Sequence, residues 1–367
     1  MKAIKPSKKW VILPILAILV FLLTRVAGHF QSFVETWYSQ KFYIGIAGIV
    51  SAISSKITFS LDDLFYLLLI LIIIILLILP LLRKISITKS LKVVLNIFSG
   101  AFILFYALWG FNYYRSDLNE RLGIEKQTPN TDLFTNELKI LIETTNADYC
   151  TFNDFNISEI DSLVEDSYKR LAPILKLKYP QGKRKPKNIT LSRFFAKAGI
   201  SGYYGPFFNE VHINKLVLPV EYPFVLAHEK AHQFGITSEA EANFYAWLAC
   251  LNSTKEQLRY SANLMVLRFF LYQGSRLENY QEIIKWVNDD VKEDYQKIRE
   301  NWQKLRDEKV DKIASKVNDT YLKTNHIKNG IDDYNNVVQL VMDFTYDSVF
   351  QEKYHAMLHK TVNFIKN

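Results

Sequence analysis

The chain has 367 residues, 49% hydrophobic, 14% aromatic and 22% charged, with 13 Gly and 10 Pro, which excludes a disordered, collagen-like or low-complexity polypeptide. Its net charge of +8 belongs to the first third: residues 1–111 carry 11 Lys/Arg against 3 Asp/Glu, and 34 of each sign lie beyond Phe111. The larger part is formally neutral, so no nucleic-acid partner is expected, and two cysteines, Cys150 and Cys250, exclude a disulfide-dense scaffold.

Three apolar stretches predict membrane spans. Trp10–Val26 follows Lys2, Lys5, Lys8 and Lys9 and reads as an uncleaved anchor in preference to a signal peptide, because Arg25 sits badly for cleavage after Ala27. Phe42–Ile53 is apolar but only about 12 residues long, which predicts an interfacial or re-entrant helix. Leu64–Leu82 holds no charged residue, and Val93–Phe111 is interrupted by Asn96, Ser99 and Gly100. Each can cross about 30 Å of hydrocarbon at about 1.5 Å per residue, and together they predict a hairpin in the bilayer. The N-terminal lysines, with Arg83, Lys84, Lys89 and Lys92, mark cytoplasmic flanks. Loop 28–63 and residues 112–367 are then expected outside the cytoplasmic membrane.

Residues 112–367 predict a mainly α, α+β domain. Leu133–Thr145 and Ser158–Leu171 carry helical apolar spacing, the second capped by Ser158 and closed before Pro173. Gln181–Lys187 predicts a basic turn. Asn188–Leu191 and Glu210–Val217 predict strands, with Gly202 and the Gly205-Pro206 pair marking turns between them. From about Lys255 a helical subdomain follows, with four or five amphipathic helices broken near Asn325–Gly330.

The chemistry concentrates in Pro223–Cys250, which contains His228-Glu229-Lys230-Ala231-His232, an HExxH pattern. On a helix both imidazoles share a face and can bind one Zn2+, while Glu229 reaches a water beside it. Pro223 fits the first turn and Gly235 a left-handed terminus. A catalytic zinc needs a third protein ligand. Glu239 and the alternative Glu241 compete for that place. Ser238-x-x-Glu241 forms a capping box that occupies Glu241, which favours Glu239. Asn243, one turn beyond Glu239, is the expected partner that orients a ligand imidazole or the ligand carboxylate. Trp247 and Phe244 are expected in the core.

HExxH followed by Glu-x-x-Ala-Asn is similar to the glutamate-zincin metallopeptidases, in which a Glu on a following helix completes the site. More closely, the chain resembles an uncharacterised family of bacterial three-span membrane proteins with an HExxH domain, a domain of unknown function. That likeness is carried by Ser60-Leu61-Asp62-Asp63-Leu64, Trp109-Gly110-Phe111-Asn112, Gly202-Tyr203-Tyr204-Gly205-Pro206-Phe207, Tyr260-Ser261 and Tyr321-Leu322-Lys323. It implies a zincin-like fold and a zinc-peptidase-like site more than any particular activity. Glu239 follows His232 by only seven residues, which implies a minimal site, and Asn243 stands where related zincins place Asp, which weakens the support around the ligands without removing one.

The expected reaction is zinc-dependent amide hydrolysis with Glu229 as general base. Tyr260, Tyr203, Tyr204 and His212 are candidates for the oxyanion donor, and the resemblance favours Tyr260. The strand Glu210–Val217 is expected to pair with an extended substrate, which favours a peptide or envelope protein. A zinc amidase acting on envelope material, and a membrane sensor or scaffold with a structural or signalling zinc site, remain the alternatives.

Overall fold

The computed structural model describes residues 8–180, 182 and 184–355. Lys2 and Lys5 of the N-terminal flank, and Gln181 and Lys183 of the predicted turn, lie outside the described residues. Among the described residues, three helices are long and apolar enough to cross a membrane: Lys9–Ala27, Leu61–Leu81 and Ile87–Leu108. Their boundaries differ from the hydropathic ones for local reasons. Ser60 and Ser86 cap the second and third helices by accepting from the N–H groups of Asp63 and Lys89, so both begin before their apolar runs. The third ends at Leu108 because Trp109 leaves helical backbone (φ −154°) and starts a 3-10 turn, Gly110–Tyr114.

Between the first two spans the chain forms a π-helical segment, Val34–Phe42, and the expected short helix, Tyr43–Ser54. That helix is two-sided: Tyr43 and Ala47 are buried, while Ile49 and Ile53 are exposed. Helices Thr131–Ala147 and Ile157–Leu171 match the predicted pair, but Asn156, not Ser158, caps the second, its Oδ1 accepting from the N–H groups of Ser158 and Glu159. Asn is as strong a cap as Ser and stands two residues earlier.

A three-stranded sheet runs in the order β1 (Lys187–Asn188), β3 (Glu210–Ile213), β2 (Gly202–Gly205). β1 is parallel to β3, and β2 pairs antiparallel with it in the register Gly202 to Ile213 and Gly205 to Glu210. Gly202 and Gly205, expected at turns, therefore lie in a strand, Pro206 opens the turn that follows it, and the expected strand Glu210–Val217 stops at Ile213. β3 is the central strand with both edges paired. It cannot take a substrate backbone, and the outer strands of the sheet are β1 and β2.

The helices Tyr222–Gln233 and Glu239–Leu251 lie at the centre of the core, packed on each other and on Glu256–Gly274. Every residue of the first is buried, so its polar side chains need partners. Lys230 is held by Asp161 at 2.7 Å and by Glu165, and Gln233 donates to the Asn209 carbonyl at 2.7 Å. Cys150 and Cys250 are both free and buried. After Glu256–Gly274 come helices Asp289–Leu305 and Glu308–Thr324, a 3-10 segment Gly330–Asn336 and helix Val337–Tyr346.

Helix Tyr222–Gln233 ends against the exits of the spans. A helix C-terminus leaves its last carbonyls without internal partners. Here the His232 carbonyl accepts from Trp109 Nε1 at 3.0 Å, Gln233 from the Tyr43 hydroxyl at 2.7 Å, and Gly235, just beyond, from Arg115 at 2.9 Å. All three donors come from segments adjoining the spans.

Candidate metal centre

Local sequence explains how the two central helices present their ligands. Pro223 needs no N–H partner in a first helical turn, and Gly235 takes the left-handed backbone (φ 78°) that ends the helix. That turn sends the Ile236 N–H to the Ala231 carbonyl at 3.2 Å and folds the Ile236 carbonyl onto His232 Nδ1 at 2.7 Å. Ser238 caps the next helix, its Oγ accepting from the Glu241 N–H at 3.3 Å. Glu239 is thereby the first residue of that helix.

The Nε2 atoms of His228 and His232 are 3.2 Å apart, and Glu239 Oε2 lies 3.1 Å and 3.4 Å from them. Ligands about 2.0–2.1 Å from a tetrahedral zinc stand roughly 3.3–3.4 Å from one another. The triangle therefore has the size of one tetrahedral face. The outer ring nitrogens are engaged as well: His228 Nδ1 faces Asn243 Oδ1 at 2.8 Å, and His232 Nδ1 faces the Ile236 carbonyl. Both partners are acceptors, so each Nδ1 donates a proton and both Nε2 atoms turn toward the carboxylate. Three such atoms at these distances need a cation, a proton or a metal ion, among them. The donor set fits zinc.

The electrostatics agree. Burial pushes the Glu229 carboxyl up to about 7, with Glu239 adding to the rise and the two imidazoles opposing it. Burial disfavours a charged His232, yet Glu239 beside it raises that ring to about 9. Against its own burial, Glu239 is held well below the usual carboxylate range by His232 and His228.

A family model described as "Protein of unknown function (DUF3810)" matches residues 38–342. The chain belongs to that family. The matched region takes in the second and third spans, the sheet and all three candidate ligands. No match is found among curated proteins or among solved structures.

Other residues singled out in this family member sit elsewhere. Tyr260 donates to Asp294 Oδ2 at 2.8 Å within the core. Tyr203 donates to Asp63, Tyr204 accepts from Asn209 at 2.7 Å, and His212 pairs with Ser60 Oγ at 2.7 Å. These four are committed to structural partners and none joins the triad. Glu241 does not reach back to its cap: its carboxylate pairs with Arg121 at 2.6 Å, a buried partner 120 residues away. Phe244 and Trp247 are buried in the core as expected.

Tyr334 was not legible in the sequence and lies over the centre. Its ring is parallel to that of His228, 6.3 Å away at 10°. Burial, then the charges of Glu239 and Glu229 and a hydrogen bond to Glu239, hold its phenol well above the ordinary value. Asp333 sets this placement by accepting from Ser238 Oγ at 2.7 Å and from the Ala240 N–H at 3.2 Å.

Proposed function

We propose that the protein is a membrane-anchored, zinc-dependent metallopeptidase of zincin-like fold, with its hydrolytic domain outside the cytoplasmic membrane. The observation that carries this reading is the triangle of His228, His232 and Glu239 with both Nδ1 atoms engaged, beside a buried Glu229. When bound, zinc supplies a Lewis acid that lowers the pKa of water toward about 7 and polarises a carbonyl.

The chain's own residues do the rest. Glu229 accepts a proton from the attacking water and returns it to the leaving amine, so that water adds across the C–N bond to give a carboxylate and an amine. Its carboxyl, raised to about 7, is matched to both halves of that transfer near neutral pH. Tyr334, over His228 and coupled to Glu239, replaces Tyr260 as the candidate donor to the developing oxyanion. β2, an outer strand of the sheet whose first residue, Gly202, lies against Glu229, is the strand that would pair with an extended peptide.

The test is metal analysis of the purified full-length protein together with a peptide-library cleavage assay. The reading requires one zinc per chain and zinc-dependent cleavage. Zinc without cleavage of any peptide would favour the sensor or scaffold, and cleavage confined to envelope amides would favour the amidase.

A further inference from the structure

The end of the third span lies close to the metal centre. The third span, 22 residues and therefore about 33 Å long, ends at Leu108. Trp109, the next residue, donates to the His232 carbonyl at 3.0 Å, and its ring lies 6.4 Å from the His232 imidazole. One residue step adds about 3.8 Å, so the ligand sits on the order of 10–15 Å from the apolar end of the span.

The second span is tied to the sheet beside the centre. Its cap, Ser60, meets His212 on β3 at 2.7 Å, Glu210 accepts from the Leu61 N–H at 2.9 Å, and Asp63 accepts from the Thr190 N–H at 2.7 Å and from Tyr203 of β2. The hairpin fixed in this way presses Gly202 against Glu229. At the end of the first span, a side chain on Gly28 would meet Tyr114 at 3.7 Å. The loop between the first two spans exposes Phe30, Phe33, Trp37, Phe42, Ile49 and Phe59. Such aromatic and aliphatic side chains belong at the headgroup level of a bilayer, while Tyr43 of the same loop reaches the motif helix.

A centre this close to the end of a span is within short reach of chain that lies at the membrane interface. We infer that the substrate is a polypeptide anchored in the same bilayer and cut a few residues outside its own span. At about 3.3 Å per extended residue, a depth of 10–15 Å corresponds to roughly three to five residues. Tethering in the same bilayer supplies a high effective concentration of such chain at the centre. This inference rests on the metallopeptidase reading.

The experiment uses the full-length, zinc-loaded protein in phosphatidylcholine–phosphatidylglycerol vesicles, with one randomised peptide cassette presented in three ways. The cassette follows a transmembrane helix directly, follows the same helix through a rigid helical spacer of about 20 residues, or about 30 Å, or is free in solution. Photo-crosslinking of the same three forms to the Glu229→Gln variant reports binding without turnover. The juxtamembrane form should be cleaved and crosslinked at least about tenfold more than the other two, with cuts within a few residues of the helix. Equal cleavage and crosslinking of all three overturns the inference and leaves the hydrolase standing. No cleavage of any form overturns both.

Discussion

Gly202 of β2 lies so close to Glu229 that a β-carbon there would stand 2.7 Å from Oε1 and 2.9 Å from Cγ, with the His212 carbonyl 2.9 Å away on the other side. The backbone neighbour cannot yield, so Glu229 must. Gly202→Ala should retain zinc, lose at least about tenfold in cleavage and cost about 1–3 kcal/mol of stability from overpacking. Metal content, cleavage rate and thermal unfolding of the same preparation check this, and unchanged cleavage would show that Glu229 has room to move.

The two adjacent carboxylates should separate by effect. Glu239→Ala should lose zinc, because it removes one corner of the ligand triangle. Glu241→Ala should instead leave Arg121 buried without its ion partner, at a cost of about 3–5 kcal/mol, while folded protein still binds zinc. Metal stoichiometry measured beside denaturant unfolding distinguishes the two. Loss of zinc from Glu241→Ala with full stability would reverse the assignments.

Zinc affinity should rise with pH. Without the ion, His232 is raised to about 9 and holds a proton that the metal must displace. A raised folded pKa means that the stabilisation from the charged ring is complete below about 6.5 and is lost as pH climbs through about 9. Zinc competes with that proton across the same window, so apparent affinity should increase about tenfold per pH unit between roughly 6.5 and 9. Chelator-competition titrations at several pH values measure the slope, and a flat profile would contradict it.

Loop 28–63 and the C-terminal domain must share one side of the membrane, since Tyr43 donates to Gln233 and Ser60 pairs with His212. The basic flanks predict that this side is the outside. A reporter active only in the cytoplasm should be silent when fused after Ser60 and at the C-terminus, and activity at both positions would invert the orientation.

Signals of short range survived the passage from sequence to structure. The span lengths, the HExxH spacing and the breaks at Gly235 and near Asn325–Gly330 depend on local chemistry and were readable. Strand β2 was not, because Gly202 and Gly205 are turn residues by composition, and their strand exists only through pairing with β3 and the network around Asp63, while Pro206 keeps its expected place in the turn. Arg121 with Glu241, and Tyr334 with His228, join positions more than one hundred residues apart and carry no periodic signature. The motifs Ser60–Leu64 and Trp109–Asn112 were noticeable as residues, and the structure explains them: they tie the second and third spans to the sheet and to the motif helix.

The most direct test of the central claim compares wild type with Glu229→Gln. The amide keeps the size of the side chain and much of its hydrogen bonding but cannot accept the proton of water. Zinc content should stay at one per chain in both proteins, while cleavage falls by about 10²–10⁴ in the variant. A Glu229→Gln protein that holds its zinc and cleaves as well as wild type would contradict the account of Glu229 as the general base of a metallopeptidase.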